Sequence, residues 1–599
     1  NRSLKKSYCN KAINENVNNS KKLWSTIKKL IPKNQTHDGF TSNDKETADQ
    51  FNSYFTSIGN NLAAKFKCNN DDCDNVNICK NDTDIQIVHF EFDVITPDFV
   101  FEQICNFSND KSTGVDNMCI RLLKLAAPII CHPLAYICNL SLFTSKFPSR
   151  WKVAKVTPLY KDGDKSDVNN YRPISVLPIL SKILECAVHD QLCNYLSCNN
   201  ILNPCQSGFR TNHSTNTTLI DVSDHILNNM NNGKVTGAIF LDLRKAFDTV
   251  SHKLLLKKLH SNGIIGNTLK WFQSYLENRT QTVNINSILS DFKTIDIGIP
   301  QGSILGPLLF IIFVNSLPDS VKCKCVMYAD DTTLLVSSSD PVALQIELKT
   351  NLDMMANWFK SNQLTLNIKK TKLMFFGTSQ ALSKFKNISL TYNNDEIEIV
   401  DKFKYLGIVF DTNLSWNEHV QYVSSNVSKR IGVIRRVKYY LPDDTVNLLA
   451  KAMVFPHFDY CSPVWSNFTA HHHNSLQILL NKLARVLLHA DIRTPIDKML
   501  EELKWVTLDD RWKHQLLIMA FKCLRQMVPV YMPSFTFIHS THDISTRSHS
   551  SNTLVVPPWS ITAGKRTFEY RAATLWNRLP VNIRSNFMNM SLNEFKSVI

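Results

Sequence analysis

Polar and apolar positions change texture several times along the chain. Residues 1 to about 90 are rich in Asn, Lys and Asp, with an amphipathic patch at Leu23, Trp24, Ile27 and Leu30, and predict a linker with some helix. From about 95 the apolar periodicity becomes dense. The run from Leu125 to Phe143 is interrupted by Pro128, His132, Pro133 and Asn139, which predicts a kinked, buried helix pair rather than a bilayer span. Residues 151–175 interleave short β-like runs with a Lys/Asp/Gly turn and predict a basic β-hairpin.

Between about 235 and 370 the elements alternate in a recoverable order. Residues 235–243 read as a strand, Ser251 as the N-cap of a helix from Lys253, and Leu269, Phe272 and Leu276 as one face of a second helix. Cys325 to Tyr328 and Thr333 to Val336 are short apolar runs around Ala329, Asp330 and Asp331, predicting a hairpin with carboxylates at its tip. Leu344, Leu348, Leu352, Met355 and Phe359 recur at helical spacing, and Leu364, Leu366 and Ile368 alternate as in a strand. The summed order, β-α-β-β-α-β, is the ferredoxin-like split βαβ of the α+β class: an antiparallel sheet with helices on one face and the other face free for a ligand. Past about 415 the chain turns helical and basic. Val427, Ile431 and Ile434 form an apolar stripe, and Lys429, Arg430, Arg435, Arg436 and Lys438 fall mostly elsewhere; these basic residues read equally as a solvated face or a nucleic-acid contact.

A length of 599 residues with 43% hydrophobic content accommodates several domains. We place an Asn/Lys-rich extension at 1–94, the βα region at 95–411, a basic helical region at 412–500 and a C-terminal region at 501–599. A net charge of +15 favours a polyanionic partner, nucleic acid first. Sixteen cysteines without CxxC pairs, and no signal peptide, point to a soluble protein in a reduced intracellular compartment. The cluster Cys68, Cys73, Cys79 reads better as a loop than as a zinc site, which normally shows two close ligand pairs, and the run His471, His472, His473 carries no stronger metal signal. The first residue, Asn1, lies in a helix-like stretch, so a fragment of a larger polyprotein is expected.

The chemistry worth testing is a two-cation phosphoryl transfer, which needs carboxylates to hold two hard cations roughly 4 Å apart. Asp242 ends a buried strand, where charge is costly without a cation or hydrogen bonds, and Asp330 and Asp331 repel each other at a hairpin tip. An Asp pair at a turn is by itself more often a solvated turn; its value comes from Asp242 on the neighbouring strand. If Asp242 holds the metal, Phe247 stands near the sugar of an incoming nucleotide and would exclude a 2′-hydroxyl, against the plainer reading of a core ring. In the segment from Gly298 to Phe310, glycines at 298, 302 and 306 surround Gln301 and Ser303. They read either as close backbone approach to a base pair or as a structural Gly/Pro turn. Lys155, Lys161 and Arg172 flank the basic hairpin and suit a triphosphate, or form exposed salt bridges. Lys369, Lys370 and Lys372 follow the last strand; Lys370 or Lys372 is a candidate general acid for leaving pyrophosphate, although lysines there usually just face water.

With these residues in view, IFLDLRKAFDTV, GIPQGSILGPLLF, YADD, LTLNIKKTKLMFF and FKYLGIVFD resemble reverse transcriptase motifs A to E in order. KVTPLYKDGDK and NNYRPISVLPILSKILE resemble the preceding finger motifs, and QSGFRTNHST the block before motif A. The wording is closest to non-LTR, LINE-type elements of the Jockey and CR1 kind, over about residues 105–411, and RTFEYRAATLWNRLP at 566–580 resembles their tail. The resemblance implies a right-hand polymerase of fingers and palm (95–411) and thumb (412–500), two Mg2+ ions with Mn2+ as a substitute, an RNA template, a DNA primer or target, and deoxynucleoside triphosphates. It assigns metal binding and catalysis to Asp242, Asp330 and Asp331, the sugar gate to Phe247, nucleotide or template contact to Arg172, Gln301, Gly302 and Tyr328, and the primer grip to Tyr405, Leu406 and Gly407. Such elements usually carry an N-terminal endonuclease, which this sequence does not show; target-primed copying at nuclear DNA is the expected setting. The rival reading is an inert retrotransposon relic that only binds nucleic acid.

Overall fold

The computed structural model describes residues 44–64, 89–385, 388–538, 552–559 and 561–599, with isolated positions nearer the N-terminus. The patch at 23–30 and Cys68, Cys73 and Cys79 lie outside the described residues.

Helix α1 (Asp44–Ala63) is followed, after a short helix at Pro97–Asn106, by α2 (Ile120–Thr144). Helix α2 corrects the expected helix pair: Pro128 and Pro133 sit inside one continuous helix, because its other turns hold. Only one face of it is buried, through Leu123, Ala127, Cys131, Leu134 and Cys138, while Leu125, Ile129 and Phe143 are exposed. Among the described residues it is the one helix long and apolar enough to cross a membrane.

The basic hairpin forms as expected, with β1 (Val153–Tyr160) antiparallel to β2 (Tyr171–Val176) from Lys155 opposite Val176 to Tyr160 opposite Tyr171. After α3 (Ile179–Cys198) and α4 (Thr215–Asn231), β3 (Val235–Leu241) enters a second sheet. Helices α5 (His252–Ser261) and α6 (Gly266–Leu276) follow. The chain then returns to the hairpin's sheet: β4 (Arg279–Ile285) lies parallel to β1, and β5 (Ile288–Leu289) and β6 (Lys293–Ile295) pair antiparallel with β4. Helix α1 covers this first sheet, burying Ala48, Phe51 and Phe55 against Ala154, Val156, Leu177 and Val283.

Helix α7 (Leu305–Phe313) leads into the hairpin β7 (Lys324–Tyr328) and β8 (Asp331–Ser338), and α8 (Pro341–Ser361) into β9 (Lys372–Phe376). A small hairpin, β10 (Thr391–Tyr392) and β11 (Asp395–Glu396), precedes β12 (Glu398–Ile399), which edges the second sheet, and then the pair β13 (Lys402–Tyr405) and β14 (Ile408–Asp411). The second sheet runs β12-β9-β3-β8-β7, so its four main strands take the split βαβ order with β3 central.

Two expectations about this sheet are corrected. The last strand lies at 372–376 rather than 364–368. Leu364 and Leu366 do alternate into the core, but only Leu366 bridges β3's extension, at Leu243; a turn from Asn367 to Thr371 then breaks the pairing. Nor is one face free. Val235, Ile239, Leu334, Leu373 and Phe375 face α3, α5, α6, α7 and α8, while Ala238, Phe240, Leu335, Met374 and Phe376 face α4 and residues from Tyr405 to Phe595. All seven residues of β3 are buried, the pattern of a strand covered on both sides rather than one.

The covering region includes α9 (Asn417–Val437), whose Val427, Ile431 and Ile434 are buried as the stripe predicts, α10 (Leu508–Leu524) and α11 (Phe568–Trp576). These helices share one core across residue 500. Asp224 of α4 fastens α11: its buried carboxylate accepts the Phe568 amide at 2.8 and 3.0 Å, capping the helix start.

Candidate active site

With both sheet faces covered, the space for a ligand lies at the strand ends. A cavity of about 850 Å³ opens where β3 ends, where β7 turns into β8, and where the β1–β2 hairpin leans over both. Its wall includes Asp242, Asp330, Asp331, Lys161, Arg172, Phe247, Gln301 and Lys370. Eight residues expected to act together, from segments up to about two hundred positions apart, thus share one chamber.

Asp242 follows β3 directly, and Asn367 holds it twice. The Asn367 side-chain amide donates to the Asp242 carboxylate at 2.9 Å, and its backbone N–H donates to the Asp242 carbonyl at 2.8 Å. The turn at 367–371 that breaks the expected strand makes this clamp and brings Lys370 to the wall.

Asp330 and Asp331 project from the turn between β7 and β8, in which Ala329 adopts a left-handed φ of +57°. Burial and the neighbouring Asp242 raise the Asp330 carboxyl, and burial, Asp330 and Asp242 push Asp331 up to about 6. Lys161 and Arg172 oppose both shifts, so the cationic hairpin faces the acidic strand ends. Lys161 is itself lowered, by burial and then by Arg172 and Lys370. An anion placed between these cations, or a cation placed between the carboxylates, would relieve the like-charge crowding.

Hard oxygen donors under mutual repulsion suit a divalent cation such as magnesium. Among the described residues no three carboxylate, imidazole or thiolate side chains are already closed around one point. The aspartates therefore fit such ions in donor chemistry and electrostatics, as an open set.

Phe247 stacks on Phe310, with centroids 4.6 Å apart and rings 20° from parallel, so one face is packed while the residue still lines the cavity. Gln301 is held by Asp248, whose carboxylate accepts its amide at 2.8 Å; burial pushes that carboxyl up to about 6. The glycines around Gln301 serve protein contacts. Gly302 has φ +130°, and a Cβ there would sit 2.2 Å from the Ser175 carbonyl of β2; Gly298 similarly abuts Asp248. The Ser175 N–H donates to the Gln301 carbonyl at 2.7 Å, tying the hairpin to this loop. The Gly/Pro segment thus makes close backbone contacts with β2 and with Asp248.

Several sequence candidates stand apart from the cavity wall. Lys155 lies at the far end of β1 from the turn, opposite Val176. Lys372 starts β9 and pairs with Glu398 at 2.5 Å. Tyr328 is half-buried on the side of Cys461 and Tyr531. Tyr405 is buried against Phe240 and Phe410, so its side chain supports the β13–β14 turn. In that turn Leu406 and Gly407 have positive φ, and the Leu406 carbonyl accepts the Tyr460 hydroxyl at 2.8 Å.

Other wall residues went unread in the sequence. Tyr54, Ile58, Asn61 and Leu62 of α1 complete the cavity, and Gly59 lets that helix approach so closely that a Cβ would meet the Asp248 carbonyl at 2.6 Å. Lys245 donates to the Tyr171 carbonyl at 2.9 Å, and Asn367 clamps Asp242. The glycine inside an otherwise regular helix was the available signal for α1.

Comparison with known proteins agrees with the geometry. Residues 161–410 match the family model described as reverse transcriptase (RNA-dependent DNA polymerase). The chain is 31% identical over 405 residues to the probable RNA-directed DNA polymerase from transposon BS of Drosophila melanogaster, covering 65% of this chain and 44% of that protein. It is 29% identical to the RNA-directed DNA polymerase from mobile element jockey of the same species, covering 65% and 43%, and 25% identical to the probable polymerase from transposon X-element, covering 67% and 44%. The chain thus spans less than half the length of these relatives. The motifs, the cavity they build and these likenesses agree on one point: residues 161–410 match the reverse transcriptase family, and the chain is similar to polymerases of Jockey-like non-LTR retrotransposons.

Proposed function

We propose that this chain copies RNA into DNA by extending the 3′-hydroxyl of a DNA primer, with two divalent cations held by Asp242, Asp330 and Asp331. The observation that carries the reading is the meeting of those aspartates with Lys161 and Arg172 in one cavity. In this reading the β1–β2 sheet is the fingers, the split βαβ sheet the palm and α9 with its neighbours the thumb.

The reaction joins the primer 3′-oxygen to the α-phosphorus of a deoxynucleoside triphosphate and breaks the bond to pyrophosphate. Bound cations supply a more acidic 3′-hydroxyl and neutralise charge on the leaving group. The chain's own groups do the rest. Lys161 and Arg172 meet the triphosphate across from the carboxylates, Phe247 crowds the 2′ position from a ring fixed by Phe310, and Gln301, fixed by Asp248, lies beside the incoming nucleotide. Lys370 is the lysine placed to return a proton to pyrophosphate, since Lys372 is paired with Glu398. The likeness to jockey, BS and X-element polymerases supports retrotransposition primed at nicked nuclear DNA as the setting.

Extension of a labelled DNA primer on an RNA template, with magnesium and deoxynucleotides, tests this directly. The parent should extend and Asp330→Asn should not. RNA binding without extension by either would instead identify an inert binder.

A further inference from the structure

We propose that Gln206 is a positioning residue for the catalytic turn: its side-chain amide fixes the Ala329 backbone, and with it the direction in which Asp330 and Asp331 face the cavity. The inference deepens the polymerase reading and rests on it for its kinetic part.

Ala329 carries a Cβ at φ +57°, a left-handed conformation that such residues adopt only when their surroundings hold them. Gln206 supplies the hold. It is 1% exposed, and its Oε1 accepts the Ala329 N–H at 2.9 Å and the Gly208 N–H at 2.8 Å, while its Nε2 donates to the Ala329 carbonyl at 3.3 Å. A carboxamide offers an acceptor and a donor side by side, and here they meet the N–H and C=O of one residue, which belong to the two peptide groups flanking the Ala329 Cα. Glutamate would keep the acceptor, lose the donor and add charge beside two carboxylates; leucine would leave the Ala329 N–H and C=O buried without partners.

The surroundings are built to the same end. Segment 205–207 pairs parallel with the edge strand β7, through Met327 N–H to the Cys205 carbonyl at 3.0 Å and Ser207 N–H to the Met327 carbonyl at 2.9 Å. At Gly208 a Cβ would lie 2.3 Å from the Ala329 nitrogen, so glycine is what lets the two backbones close. Ser207 is fastened from outside by the Tyr531 hydroxyl at 2.8 Å, which also reaches Thr217 at 3.2 Å. The catalytic turn is thereby referenced to the region after 500.

The test compares the parent with Gln206→Leu, Gln206→Glu and the double variant Gln206→Leu with Ala329→Gly. Hydrogen exchange of peptides spanning 325–333 should accelerate in both single variants while peptides from β3 stay protected. The turnover number should fall about tenfold to a hundredfold, as for lost outer-sphere support of metal ligands, with KM for primer–template unchanged. Ala329→Gly should restore part of the turnover, since glycine adopts the turn without help. Should the leucine variant fail to fold, the glutamate variant, which keeps volume and acceptors, decides alone. Unchanged exchange at 325–333, or turnover equal to the parent's, overturns the proposal. A parent that does not extend primers refutes the polymerase reading, while the exchange comparison still decides the clasp.

Discussion

Replacing Asp331 with asparagine should make the metal-free protein more stable while ending primer extension. Burial, Asp330 and then Asp242 oppose the Asp331 charge and hold its carboxyl at about 6 against an ordinary 3.8. A shift of that size corresponds to about 3 kcal/mol of unfavourable charge at neutral pH. The residue opens on the cavity, and screening there leaves on the order of 1 kcal/mol, a rise of about 2 °C in melting temperature for a large domain. The sign follows from a raised folded-state value. The Asp331 contribution is intact below about 3.8 and is lost as the pH rises through about 6. The variant's advantage should therefore be absent in acid and full at neutral pH. Calorimetry in chelator across that range measures it, and a magnesium titration at neutral pH adds a second readout, since the cation should raise the parent's melting temperature more than the variant's. A variant melting at or below the parent at neutral pH in chelator would show that the three carboxylates do not repel one another, and would refute the argument.

Gly302→Ala should lower the turnover number about tenfold or more, because a Cβ would press on the Ser175 carbonyl and local strain of about 1–3 kcal/mol displaces Gln301; steady-state extension measures it. Phe247→Val should narrow the preference for deoxynucleotides over ribonucleotides, read as the ratio of their kcat/KM values, and it removes the ring stacked on Phe310. Asp224→Ala should destabilise the fold by about 1–3 kcal/mol in urea melts by uncapping α11, the Phe568 N–H being left buried without the carboxylate.

Much of the site was legible because strand ends and turns carry local signals. The strand before Asp242, the hairpin at Asp330 and Asp331, and the basic hairpin bearing Lys161 and Arg172 all formed where period-2 alternation and turn residues put them. What alternation could not show was interruption. Leu364 and Leu366 alternate and are buried, yet the turn at Asn367 ends the pairing because that side chain bonds Asp242 across 125 positions. The clasp by Gln206 was illegible for the same reason, and Gly59 marked α1 without showing what it packs on: each depends on a partner more than a hundred residues away. Coverage of both sheet faces was hinted at by the consecutive apolar residues Ala238 to Leu241 of β3, but the split βαβ order suggested a free face.

That double coverage bears on how such a sequence can be cut or exchanged. The motifs that carry the chemistry end near residue 411, but the fold they need does not: Ala238, Phe240, Met374 and Phe376 bury their side chains among residues that run on to Phe595. A chain shortened to its motifs would expose a strip of sheet, with the row of apolar side chains that invites self-association. The late helices and strands β3 and β9 are therefore one packing unit, and a segment exchanged on either side would keep its shape only if it brought its own lining.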